Sequence, residues 1–388
     1  MKSVFIYIAI GVAIGGAAAS VVFGRGIIIS SFGKAASLVM SNEPARPYNA
    51  DIAEDDTALF HDEDALYSYV KKFGPKQTIT RLHALSAMYG SCHDTAHKAG
   101  RFSYELFEDE SFKECGSECH SGCYHGATEA YFRDHGTDNL SKNLSTLCND
   151  QLNKFFSHQC VHGIGHGLMA WTSYDLPEAL KACDLLTTGQ DSCWTGVFME
   201  NIVGGLVKSE AEKNPAADTG HYTEYLNDNP HFPCTAVEDK YKGSCYFLQT
   251  SRMMQLFASD FGKIAKACAE APEPYLRSCF ESMGRDVGGT HRGNPSVEIA
   301  ECAKSPKSQF RAWCNNGAVQ DAFWDPSGQD NALKFCRLLA PPDEKAGCYE
   351  TLFERAPQIL MTQEALRSFC SKTEPVFTQR CTQSVGIE

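Results

Sequence analysis

The apolar positions of this chain follow two different patterns. Val4 to Gly24 runs about twenty residues without a charge, enough to cross a hydrocarbon core of roughly 30 Å as a helix. From about residue 63 onward the apolar positions follow a helical spacing instead. No alternating run of β-branched residues is long enough to make a sheet. Between the two, residues 26–62 read as a linker, its part 36–62 carrying proline, asparagine and a cluster of acids. Residues 1–25 are expected to be a membrane anchor. Ala17-Ala18-Ala19 offers the alternative of a cleaved signal peptide and a secreted product, but the apolar run continues past that site.

Within the helical part, the cysteines keep a period. Cys268, Cys302, Cys336 and Cys370 are each 34 residues apart, and Cys279, Cys314, Cys348 and Cys381 follow them at steps of 35, 34 and 33. Cys148/Cys160, Cys183/Cys193 and Cys234/Cys245 keep the same internal gap of 10 to 12. A fixed period of this length marks a repeat array. Each unit reads as a helix ending near its first cysteine, a short connection, and a second helix. Pro274, Pro306, Pro342 and Pro375 stand where the second helix should begin, and proline fits a first helical turn.

Two antiparallel helices joined by a short turn bring such cysteines within disulfide reach. The expected bridges are therefore Cys148–Cys160, Cys183–Cys193, Cys234–Cys245, Cys268–Cys279, Cys302–Cys314, Cys336–Cys348 and Cys370–Cys381. Cys92, Cys115, Cys119 and Cys123 remain, with three connectivities open to them.

Paired helices at this period resemble the tetratricopeptide and Sel1-like α-solenoids. "KACDLLTTGQDSCWTGVFME" (182–200) in particular is similar to secreted cysteine-rich Sel1-type repeats, in which a disulfide staples each helix pair. The resemblance covers about 145–388 and implies a concave face that binds a protein or peptide. The expected fold is thus all-α: a disulfide-stapled helical-hairpin array, an α-solenoid, behind an N-terminal transmembrane helix. Residues 63–147 form a His/Cys-rich helical cap and 148–388 the repeats. Cys183 to Cys234 is 51 residues, so an insertion lies near 204–232, where solenoids place loops.

Composition narrows the setting. Eighteen cysteines, an even and high number, point to an oxidising extracytoplasmic compartment, whether periplasmic, extracellular or lumenal. A formal charge of −13 excludes the basic footprint that nucleic acid requires. There is no G-x-S-x-G and no phosphate loop.

The candidate chemistry lies in the histidines. Alignment on the second cysteine of each unit puts His125 and His162 two positions after it, and Glu129 and His166 six after it. At about 100° per residue these positions share a helix face, roughly opposite the stapled cysteine and toward the concave side. The i,i+4 spacing lets both members of a pair reach one ion, the logic of H-E-x-x-H sites. Glycines 126, 163, 165 and 167 would leave that surface bare.

"CHDTAHKAGRFSYELF" (92–107) adds His93 and His97 at the same spacing but in another register, and Glu200 and Asn201 could complete the shell. A lone histidine at a helix start is more often a surface group, as read for His120, His135 and His158. Three pairs within 75 residues are a different matter. His93, His97, His125, Glu129, His162 and His166 are therefore the expected ligands of a divalent transition metal (Zn, Fe, Cu or Mn), with Glu129 doubling as general base. His221 and His231 fall in the insertion. A metal-dependent hydrolase or oxidase is the first expectation; a non-catalytic protein- or peptide-binding scaffold is the alternative.

Overall fold

The computed structural model of the chain describes residues 54–387 apart from 90–91, 138–139, 150–152 and 213–219. The described residues fold into helices, with a single isolated β-bridge between Leu206 and Tyr222. The principal helices are α1 (Glu63–Tyr89), α2 (His93–Phe107), α3 (Gly122–His135), α4 (Leu140–Asn149), α5 (Lys154–Trp171), α6 (Leu176–Cys183), α7 (Gln190–Val203) and α8 (Asp239–Leu256). They continue as α9 (Phe261–Ala269), α10 (Leu276–Thr290), α11 (Pro295–Cys302), α12 (Ser308–Ala322), α13 (Gln329–Leu338), α14 (Pro342–Ile359), α15 (Gln363–Ser371) and α16 (Pro375–Ser384).

Local signals explain many of the boundaries. α1 breaks at Gly74, whose φ of +79° only glycine adopts freely, and resumes at Pro75. Asn153, Asp175, Asp260 and Thr362 accept the first free N–H groups of α5, α6, α9 and α15. Pro342 and Pro375 open α14 and α16, whereas Pro274 lies in a 3₁₀ turn before α10 and Pro306 precedes α12.

Every cysteine is paired. Seven bridges tie the first helix or loop of a hairpin to its second: Cys148–Cys160, Cys183–Cys193, Cys234–Cys245, Cys268–Cys279, Cys302–Cys314, Cys336–Cys348 and Cys370–Cys381. The four remaining cysteines, whose connectivity spacing leaves open, pair as Cys92–Cys119 and Cys115–Cys123.

One part of the expected architecture needs correction. The membrane-spanning helix over Val4–Gly24 and most of the linker lie outside the described residues. Among the described residues no helix is long and apolar enough to cross a membrane. The fold class of the described residues is therefore that of an all-helical, disulfide-stapled array.

The concave face is strongly curved. The second helices pack side by side in the order α2, α3, α5, α7, α8, α10, α12, α14, and α14 then returns to pack on α5. At that closure Asn153 donates to the Gln358 carbonyl at 2.8 Å, and the Arg355 guanidinium lies 4.5 Å from the Phe155 ring centre. Trp324 Nε1 donates to the Ser117 carbonyl at 3.1 Å. The row curls on itself around a half-open cavity of about 1570 Å³, lined from His83 to Gln358. Period and cysteine spacing describe one hairpin and its neighbour. The curvature that accumulates over eight helices depends on how closely each pair approaches.

That approach is set by glycine. A Cβ on Gly126 would lie 1.8 Å from the His97 carbonyl oxygen, one on Gly165 2.0 Å from that of Cys193, and one on Gly196 1.9 Å from that of His162. These glycines seat α2, α3, α5 and α7 backbone to backbone. They serve the contact between helices; the expectation that glycines 126 and 165 keep a groove bare is corrected accordingly. Gly284 and Gly317 do the same for α10 and α12, 1.9 and 2.0 Å from the Cys314 and Glu281 oxygens.

Candidate metal centre

Positions two and six after the second cysteine do line the cavity through most of the row: His125 and Glu129, His162 and His166, Thr195 and Met199, Phe247 and Ser251, Glu281 and Arg285. On α14 the pattern fails, and Arg355 and Gln358 take their place. His93 and His97 of α2, from their different register, face the same space. Their helix begins directly after Cys92, whose bridge to Cys119 ties it to the start of α3.

The five imidazoles fall into two groups that share one ring. His93, His97 and His125 form one, and His125, His162 and His166 the other, with ligand atoms in each lying within 4.8 Å of one another. His125, His162 and His166 are 1%, 8% and 2% exposed. The rings of His125 and His166 stack at 3.9 Å between centres.

Hydrogen bonding determines which nitrogen each ring points inward. His93 Nδ1 lies 2.9 Å from the Cys119 carbonyl oxygen, which can only accept, so Nδ1 carries the proton. His166 Nδ1 donates to Glu200 at 2.8 Å, and His97 Nδ1 to Glu129 at 3.3 Å. The Thr195 hydroxyl donates to the Ser192 carbonyl at 2.6 Å, and so accepts from His162 Nδ1 at 2.9 Å. In the neutral ring the second nitrogen then holds a lone pair.

Those second nitrogens converge: His93 and His97 Nε2 are 3.2 Å apart, and so are His162 and His166 Nε2. Two nitrogens bound at about 2.0–2.1 Å to one tetrahedral ion are about 3.3 Å apart. His125 Nδ1 lies 2.9 Å from His97 Nε2, while its Nε2 is buried without a hydrogen-bond partner.

The electrostatics suit neutral rings at His93, His125 and His162. Burial, reinforced by the neighbouring imidazole of His97, pushes His93 down to about 4. Burial, then the surrounding imidazoles, holds His125 and His162 well below the usual histidine value. For Glu129 burial opposes ionisation, but His97 and the Arg101 guanidinium 2.8 Å away outweigh it, and the carboxyl falls to about 2. Glu200 is likewise lowered against its burial by His166 and Tyr174.

Glu129, expected as a ligand or general base, accepts from His97 Nδ1 and from Arg101. Glu200 has the matching role behind His166, and Tyr174 donates to its other oxygen at 2.5 Å. Asn201 turns away, donating to the Tyr225 carbonyl and accepting from Thr223. Described residues of the insertion return to this region: Leu206 N–H donates to the His221 carbonyl, and the His221 ring stacks on Tyr174 at 5.0 Å. His231 is set apart from the centre, beside Tyr246.

His120 and His158, read as surface groups, also line the cavity. His120 accepts from Arg292 at 2.7 Å, and His158 Nδ1 is 2.5 Å from the Ser192 hydroxyl. His135 packs on Tyr131 away from it. The two missed positions have no periodic signal, because the curl of the row brings them to the cavity.

The chain matches no family model, no curated protein and no solved structure. Its chemistry has to be read from its own side chains. They form histidine groups able to hold a metal ion, on the wall of a large cavity in an all-helical, disulfide-stapled repeat protein.

Proposed function

We propose that the protein is a transition-metal protein of an oxidising, extracytoplasmic compartment, with metal held by imidazole nitrogens drawn from His93, His97, His125, His162 and His166. The observation that carries this is the pair of Nε2···Nε2 approaches at 3.2 Å between rings whose Nδ1–H groups are already committed to other acceptors. In neutral rings two such lone pairs repel; an ion between them turns the contact into an edge of a coordination shell. Carboxylates behind two of the rings, Glu129 and Glu200, are the outer partners that fix tautomer and raise ligand basicity.

An all-imidazole inner set with carboxylates one step back favours zinc, copper or iron over manganese. Such an ion supplies Lewis acidity or a bound water of lowered pKa, or redox chemistry if it is copper or iron. The chain's own contribution is a fixed donor set and a cavity of about 1570 Å³ in which a small substrate can approach it. A metal-dependent hydrolase or oxidase is the reading this arrangement favours. Nine disulfides support the oxidising compartment.

A non-catalytic scaffold binding a protein or peptide in the cavity is the second reading, supported by the helical-hairpin period shared with Sel1-like and tetratricopeptide arrays. Elemental analysis of the purified chain separates the two. Stoichiometric zinc, copper or iron, lost when His162 and His166 are both changed to Ala, supports the metal reading. A folded protein of undiminished stability that binds none leaves the scaffold.

A further inference from the structure

The same histidine arrangement occurs twice. On one side of α3, α2 presents His93 and His97; on the other, α5 presents His162 and His166. Each pair brings its Nε2 atoms to 3.2 Å. In each pair one Nδ1 is held by a carboxylate, Glu129 or Glu200, and the other by a neutral acceptor, the Cys119 carbonyl or the Thr195 hydroxyl. His125 alone belongs to both sets.

Two nitrogens on one ion at about 2.0–2.1 Å can be no more than about 4.2 Å apart, even on opposite sides of it. Within each triad the ligand atoms meet a limit of 4.8 Å, but the five histidines do not form a single group at that limit. One ion therefore does not gather all five in this arrangement. An imidazole has two donor nitrogens. His125 directs Nδ1 to within 2.9 Å of His97 Nε2, and its Nε2 is buried with no hydrogen-bond partner.

We infer that the centre is dinuclear, with one divalent transition-metal ion on His93, His97 and His125, a second on His125, His162 and His166, and the His125 ring shared between them. This rests on the metal reading above and extends it. Sharing requires the remaining N–H bond of His125 to break: the proton passes to solvent, and both ring lone pairs go to metal. The two positive charges compensate the negative ring. A pair of ions joined in this way can divide the work of one reaction, one binding a substrate oxygen and the other a water.

The test is reconstitution of the full-length chain, stripped with chelator, using Zn²⁺ alone and then Cu²⁺ alone, with bound metal counted per chain after desalting. The expected result is two ions in the unaltered protein. One should remain in His93→Ala/His97→Ala and one in His162→Ala/His166→Ala. A single ion in the unaltered protein overturns the dinuclear inference and leaves the metal reading standing; no bound ion overturns both. Two ions persisting in either double variant would place a site elsewhere and also end the inference.

A measurement on the unaltered chain guards against variants that misfold. Copper ions coupled through a shared imidazole give fewer unpaired spins by electron paramagnetic resonance than copper atoms by elemental analysis. One full spin per copper would show that His125 is not shared.

Discussion

His166 donates Nδ1–H to Glu200 at 2.8 Å, and this bond turns its Nε2 toward that of His162, 3.2 Å away. Glu200 stands at the second cavity-facing turn of α7, one helix beyond the histidines it serves. Glu200→Gln keeps the shape of that contact but removes the charge that raises imidazole basicity. Metal affinity should fall by about 10- to 100-fold. Competition with a calibrated chelator reads this directly; unchanged affinity would reduce Glu200 to a packing residue.

The glycine contact between α5 and α7 gives a second expectation. A methyl group on Gly165 would meet the Cys193 carbonyl oxygen at 2.0 Å, and backbone on both sides has nowhere to move without separating the helices. Gly165→Ala should destabilise the protein by about 1–3 kcal/mol, as overpacking does, and loosen the centre as well. Thermal unfolding should show the loss. Gly347→Ala, on a glycine with open space around it, is the matched control and should cost nothing by this mechanism.

Cys92 and Cys119 tie together the two segments that hold His93. His93 follows Cys92 in sequence, and its Nδ1 donates to the Cys119 carbonyl. Cys92→Ser/Cys119→Ser opens a bridge spanning 27 residues, a loss of about 3–4 kcal/mol by chain entropy. Metal held by His162 and His166 should survive better than metal held by His93 and His97. A chain that loses both equally would argue against a local effect of this bridge.

Away from the histidines, the buried carboxyl of Glu298 gives a pH signature. It is 2% exposed and its Oε2 has no hydrogen-bond partner. Burial, then the charge of Asp321, pushes it up to about 7. The folded protein therefore keeps this proton to a higher pH than the unfolded chain. The associated stability is present below about 4.5 and is lost as pH rises through about 7. Asp321, raised to about 6 by burial against the pull of Arg292, adds in the same direction. Glu298→Gln imitates the protonated form. Its melting temperature should exceed that of the unaltered protein at pH 8 and match it near pH 4; equal melting at pH 8 would refute the assignment.

The helical hairpin can be read from the chain alone, because that unit is local. Cysteine gaps of 10 to 12, a 34-residue step and apolar residues at helical spacing all act within one repeat or between neighbours. The histidine pairs were legible for the same reason: an i,i+4 spacing places two rings on one turn whatever surrounds it.

The rest depends on packing in three dimensions. The connectivity of Cys92, Cys115, Cys119 and Cys123, the closing of α14 onto α5 and the arrival of His120 and His158 at the cavity depend on contacts between residues distant in the chain. So does the contact between Glu129 and His97, which joins α3 to α2. Helix rotation and array curvature arise from side chains and glycines meeting across several interfaces. A one-dimensional period carries no information about how those small angles add.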